Sequence, residues 1–87
     1  MNNAGEPPGS FTLIAGNNTI PVPSDALGVV IVPPVASTVA KTIKGVAADT
    51  GIAMAPAQPF AMAFTVGTVA SFVINAGGGE VISLFWQ

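Results

Sequence analysis

Apolar and polar positions in this chain alternate in short bursts that are cut at regular intervals. FTLI, NTIPV, LGVVIV, VAKTIK, GIAMA, FAMAFT, ASFVIN and EVISLFW are runs dominated by β-branched and aromatic residues, the types that fit a pleated, half-buried surface. Between them stand Pro7-Pro8-Gly9, Gly16-Asn17-Asn18, Pro23-Ser24-Asp25, Pro33-Pro34, Asp49-Thr50-Gly51, Pro56 to Pro59, Gly67-Thr68 and Gly77-Gly78-Gly79. Each is a turn or loop signal, and a spacing of roughly 8–12 residues is that of an all-β sandwich or barrel. The pattern predicts a single all-β domain over residues 11–87, a small sandwich or barrel of about 7–8 short antiparallel strands. Residues 1–10 carry no periodicity, and Pro7-Pro8 suggests an extended, flexible N-terminal arm of the kind that orders against a partner.

The phase of the alternation says which side chains share a face. Phe72 and Ile74 point one way and Val73 the other; Ile82, Leu84 and Trp86 oppose Val81, Ser83 and Phe85. Both faces of the last run are largely apolar, and Leu27 to Val32 repeats the signal. A strand apolar on both faces is covered twice. In a two-layer sandwich the second cover is most simply another subunit. A helix over Ser37 to Ala48 is disfavoured: Val39, Thr42, Ile43 and Val46 are β-branched, Gly45 interrupts, and no carboxylate occupies the first turn. That segment is predicted as strand and turn.

Composition sharpens the oligomer expectation. The chain has 87 residues, no Cys and no His, so it is small enough to be marginal alone, with disulfides and the commonest metal ligands excluded. Hydrophobic residues make up 51% and charged residues only 7%, against roughly 25% charged in an average soluble domain. Too few charges remain to cover a monomer. The net charge of -2, with Lys41 and Lys44 as the only cations, leaves nothing to neutralise a run of phosphates, so nucleic acid is not an expected partner. Nor is a membrane. The uncharged interval between Asp49 and Glu80 is broken by Gly51, Pro56, Gln58, Pro59, Gly67, Ser71 and Asn75, and its apolar runs fall far short of the ~20 residues of a spanning helix. MNNAGEPPGS has neither a basic region nor an apolar one and is not expected to act as a signal peptide.

Two arrangements invite a catalytic reading. Asp49-Thr50-Gly51 spells the triplet that carries the carboxylate of dimeric, retropepsin-like aspartic proteases, in which two such carboxylates share a proton. Too little chain follows Gly51 to supply a flap, a second supporting loop and a dimer strand, and Ile52 follows where Ala or Ser is usual. The better expectation is an Asx-type turn with Gly51 at positive φ between two strands, and the protease stays a remote alternative. Ser37 and Lys41, four apart, suggest a Ser-Lys nucleophile pair only on a helix. On a strand they lie well apart, and Lys41 reads as a solvated charge blunting a polar edge. The acidic residues lack calcium-loop spacing, and Gly77-Gly78-Gly79 lacks the Lys-Ser/Thr of a phosphate loop and reads as a hairpin turn. Trp86 reads as a buried interface aromatic rather than a sugar platform. No enzyme activity, cofactor, metal or small-molecule substrate is expected.

The segment from Val39 to Pro59, VAKTIKGVAADTGIAMAPAQP, with a β-rich tail ending in LFWQ, resembles small virion structural proteins of tailed bacteriophages. The shared elements are Lys41 to Val46, Asp49 to Ile52 with Pro56 after it, and the aromatic pair Phe85-Trp86; the resemblance covers about half the chain. The resemblance implies a non-enzymatic β-sandwich module on the phage particle. Sparse charge and apolar faces favour the head, where a decoration or cement protein would bind the major capsid protein on the capsid surface as a homo-oligomer, a trimer being the favoured state. Phe11, Leu13, Phe85 and Trp86 are the expected interface anchors, chosen by size and terminal position. A tail, baseplate or head-fibre component contacting the host is the alternative.

Overall fold

All eight apolar runs form strands. The structure, a computed structural model, describes residues 9–64 and 69–87. The strands are β1 (Gly9–Leu13), β2 (Gly16–Pro21), β3 (Gly28–Val32), β4 (Lys41–Lys44), β5 (Ile52–Met54), β6 (Phe60–Ala63), β7 (Ser71–Ala76) and β8 (Glu80–Trp86). The segment 37–48 becomes β4 and a following turn, as its β-branched content predicts. Gly9 and Ser10, assigned to the arm by the sequence pattern, open β1 and pair with Leu84 and Ser83. The remainder of the arm and the Gly67-Thr68 turn lie outside the described residues.

Two four-stranded antiparallel sheets face each other, ordered β1-β8-β3-β6 and β2-β7-β4-β5. The pairing is nested: β1 with β8, β2 with β7, β3 with β6 and β4 with β5. It is one long hairpin with its tip between β4 and β5. The hairpin is rolled so that β8 also pairs with β3 and β7 with β4. This winding is the double-sheet jelly roll.

One expected turn changes character. Gly77-Gly78-Gly79 does not close a hairpin, because β7 and β8 belong to different sheets. The glycines carry the chain across the end of the sandwich, and Gly77 N–H donates to Ala40 C=O at 2.9 Å. Nor is Gly16-Asn17-Asn18 a turn. It begins β2, with Gly16 at φ 99°, and the chain changes sheets one step earlier, at Ile14 and Ala15.

The alternation read from the sequence decides what is buried. Ile82, Leu84 and Trp86 of β8 point inward with Leu13, Val29 and Ile31, to meet Ile20, Ile43, Phe72 and Ile74 of the opposite sheet. Full burial of such a side chain contributes on the order of 1.5–3 kcal/mol. Close backbone approach fixes two glycines. A Cβ at Gly28 would meet the Met62 carbonyl at 2.5 Å, and one at Gly51 would meet the Ile43 carbonyl at 2.5 Å. Gly51 also holds φ 77°, which places the hairpin tip in the left-handed region as expected.

Candidate functional site

The most concentrated polar chemistry lies between the sheets. Lys41, expected to be solvated at an edge, is instead among the most deeply buried residues, because β4 alternates and Lys41 shares the inward face with Ile43. Its Nζ donates to Ser37 Oγ at 3.1 Å, to Val39 C=O at 2.9 Å and to Pro56 C=O at 2.9 Å. It also forms an ion pair with Glu80 at the start of β8. Ser37 Oγ donates to Glu80 Oε1 at 2.7 Å and accepts from Val39 N–H at 3.2 Å. Ser37 and Lys41 are thus brought together without a helix, contrary to the separation expected on a strand, because the loop before β4 folds back over the lysine.

This geometry ties one sheet to the other. An ammonium has three N–H donors and no acceptor, and here all three find oxygens while Glu80 supplies the counter-charge. The Ser37 hydrogen is given to the carboxylate, not held against a free amine. Burial by itself pushes the Glu80 carboxyl up. Hydrogen bonds from Lys41 and Ser37, together with the Lys41 charge, outweigh that and hold it below its ordinary value of 4.5. The sequence did carry a signal for this cluster. KTIK must turn Ile43 inward, and period two then carries Lys41 inward with it.

Asp49 sits at the exposed tip. Its Oδ2 accepts from Gly45 N–H and Val46 N–H, both at 3.1 Å. The carboxylate therefore organises its own turn, and the Lys44 ammonium donates to Ala47 C=O at 3.2 Å beside it. A second buried polar residue, Asn18, was hidden in a presumed turn. Its Oδ1 accepts from Ile14 N–H at 2.8 Å, while Nδ2 donates to the carbonyls of Ile14 (2.9 Å), Gly16 (3.1 Å) and Ile74 (3.0 Å). Asn18 thereby satisfies the backbone of the corner where the chain passes from β1 to β2.

The four expected anchors separate. Leu13 and Trp86 are enclosed in the core, Phe11 is half-buried against it, and Phe85 is 40% exposed. Phe85 lies on the outer face of the β1-β8-β3-β6 sheet, in a cross-strand row with Val30 and Ala61. The next row on this face sets Ser83 between Ser10 and Val32, and the row beyond it sets Thr12 beside Val81, which is 53% exposed. No described residue pointing outward from these four strands is charged. The outer face of the other sheet is polar: Asn75 Nδ2 donates to Asn17 Oδ1 at 2.8 Å, with Thr42 opposite Asn75 and Lys44 opposite Val73. The molecule is two-sided. No group of three or more metal-ligating side chains occurs among the described residues. The chain matches no protein-family model, and no similar protein emerges among characterised sequences or solved structures.

Proposed function

We propose that this chain is a structural component of a tailed-bacteriophage particle, a decoration or cement module that assembles with copies of itself and clasps the major capsid protein at the capsid surface. The carrying observation is the uncharged outer face, on which the exposed Val81 and Phe85 and the half-buried Val30 and Val32 surround a Ser10–Ser83 pair. Apolar faces of this kind mark interaction surfaces, and the polar face opposite, with Asn17, Asn75 and Thr42, suits the side left in water. Four strands about 4.8 Å apart and about five residues long give a face on the order of 300–400 Å², roughly half of one partner's share of a standard interface. One such contact is weak. Firm attachment then rests on several contacts per oligomer, each raising the effective concentration of the next, and a trimer supplies them. The jelly-roll winding recurs in viral capsid proteins, which supports the reading by analogy of fold alone.

A second reading keeps the particle but turns the Asn17–Asn75 face outward, toward host surface groups, as a tail, baseplate or head-fibre component. Cryo-microscopy of particles carrying the labelled chain separates the two. Density repeated over the head lattice is the expected result; density confined to the tail selects the second reading. In sedimentation the isolated chain is expected to self-associate at tens of micromolar, and Phe85→Glu to shift it toward monomer. A stable monomer throughout that range overturns the self-assembly on which both the trimer and the multivalent clasp depend.

A further inference from the structure

Lys41 and Glu80 stand on strands of opposite sheets, β4 and β8. The Lys41 side chain is wholly enclosed, and the Glu80 side chain keeps only 10% exposure. Stability alone does not call for such a pair, since apolar residues of similar volume often hold a core as well or better. What the fold supplies is a set of contacts around one carbon atom, Glu80 Cδ. On one side Nζ meets Oε2 in the ion pair, and Oε2 has no other hydrogen-bond partner among the described residues. On the other, Oε1 accepts from the Ser37 hydroxyl at 2.7 Å. The carbonyls of Val39 and Pro56, each 2.9 Å from Nζ, hold the lysine head in place. A nitrogen nucleophile, a carboxyl carbon and a donor on one carboxyl oxygen are the parts that amide formation needs. Groups held together in this way react as if at effective concentrations of about 10⁵–10⁸ M.

We propose that Lys41 and Glu80 condense, unaided by another protein, into an amide that cross-links β4 to β8. One proton passes from Nζ to Oε2 and turns the ion pair into an amine and a carboxylic acid. The Nζ lone pair then attacks Cδ, and the electron pair of the Cδ–Oε1 π bond moves onto Oε1, where the Ser37 hydroxyl stabilises the developing charge. A second proton leaves Nζ for Oε2. The Cδ–Oε2 bond breaks, water departs, and the Cδ–Oε1 double bond re-forms. The ammonium's three hydrogens are then accounted for, two in the water and one on the amide nitrogen, and nothing is oxidised or reduced. The ion pair is the starting state, and the linked chain accumulates from it slowly because the neutral pair is the minor form. In a chain without cysteine, this link would constrain the unfolded state as a disulfide does. It rests on the buried pair alone and holds whether or not the chain decorates a capsid.

The test is the mass of the full chain, followed while the folded protein is incubated. A species lighter by one water is expected, and its share is expected to grow with time. Trypsin then locates the loss. Lys41 and Lys44 are the only basic residues, so a denatured, unlinked chain is cut into 1–41, 42–44 and 45–87. In the linked chain the bond blocks the cut after Lys41 and ties Glu80 to it, so the two parts made by cutting after Lys44 stay one covalent piece. Ser37→Ala, checked for folding by circular dichroism, is expected to accumulate the link about a hundredfold more slowly. The double variant Lys41→Met, Glu80→Leu is expected to keep its full mass. Absence of the lighter species in the unsubstituted chain overturns the proposal, as does a lighter species that trypsin still separates into those fragments. Equal accumulation in urea overturns it too, since the unfolded chain does not hold the groups together. An undiminished rate in folded Ser37→Ala overturns the role assigned to Ser37.

Discussion

Removing the Glu80 carboxylate leaves the Lys41 ammonium enclosed with two carbonyls and a hydroxyl but no opposite charge. Breaking a buried pair in this way is costly because the surviving charge is stranded. Glu80→Ala is therefore expected to lose about 3–5 kcal/mol in urea unfolding. The double variant Lys41→Met, Glu80→Leu should lose far less, since neither charge is left. Acid acts on the same pair. The folded Glu80 carboxyl is held below 4.5, so its share of stability is present in full above that pH and is lost as pH falls through the lower, folded value. Unfolding free energy should drop on acidification below about 4.5, and Glu80→Gln should show a shallower drop. Equal slopes in the two proteins would refute this account. Asn18 gives a sharper loss without charge. Asn18→Ala removes the donor to the buried Ile74 carbonyl and the partners of Ile14 N–H and C=O at the corner, and a fall of about 1–3 kcal/mol is expected by chemical denaturation.

Among the elements, the hairpin tip between β4 and β5 depends on its glycine. Gly51→Ala sets a Cβ against the Ile43 carbonyl in a left-handed residue. It should cost at least about 1–3 kcal/mol, while Asp49→Ala, which removes only exposed turn bonds, should cost about 1 kcal/mol or less. Thermal melts of the two variants would compare them. The strands themselves were legible in the sequence because burial has period two and turn residues interrupt it cleanly. Ile82, Leu84 and Trp86 fell inward for that reason alone. What escaped was partnership. Nothing local distinguishes a glycine run that closes a hairpin from one that crosses between sheets, as Gly77–Gly79 does. Lys41 differs in another way: its charge suggests an edge, whereas its phase with Ile43 sends it inward. Asn18 carried a turn composition but spends its amide on a corner two to four residues earlier. Ser37 and Glu80, far apart in sequence, meet only through the nested pairing.

For the whole molecule, the two-sided surface predicts how the proposed self-association responds to salt. Contacts across an uncharged face gain nothing from ion pairing, so there is no attraction for salt to screen. Excluded salts such as sulfate strengthen apolar burial. Sedimentation in rising sodium sulfate should show the oligomer gaining population, and chloride at moderate concentration should leave it nearly unchanged. An oligomer dispersed by about 0.5 M chloride would point to charge-based contacts, for which the face offers no residues.

The nested pairing also sets an order of events. β8 is last in sequence yet lies between β1 and β3. It contributes Phe85 and Val81 to the outer face and Glu80 to the clamp on Lys41. Neither the outer face proposed as adhesive nor the ionic tie is complete until that strand lies between its neighbours. A chain lacking β8 lacks Phe85, Val81 and Glu80 together, so the proposed contact with other copies begins only once that strand is in place.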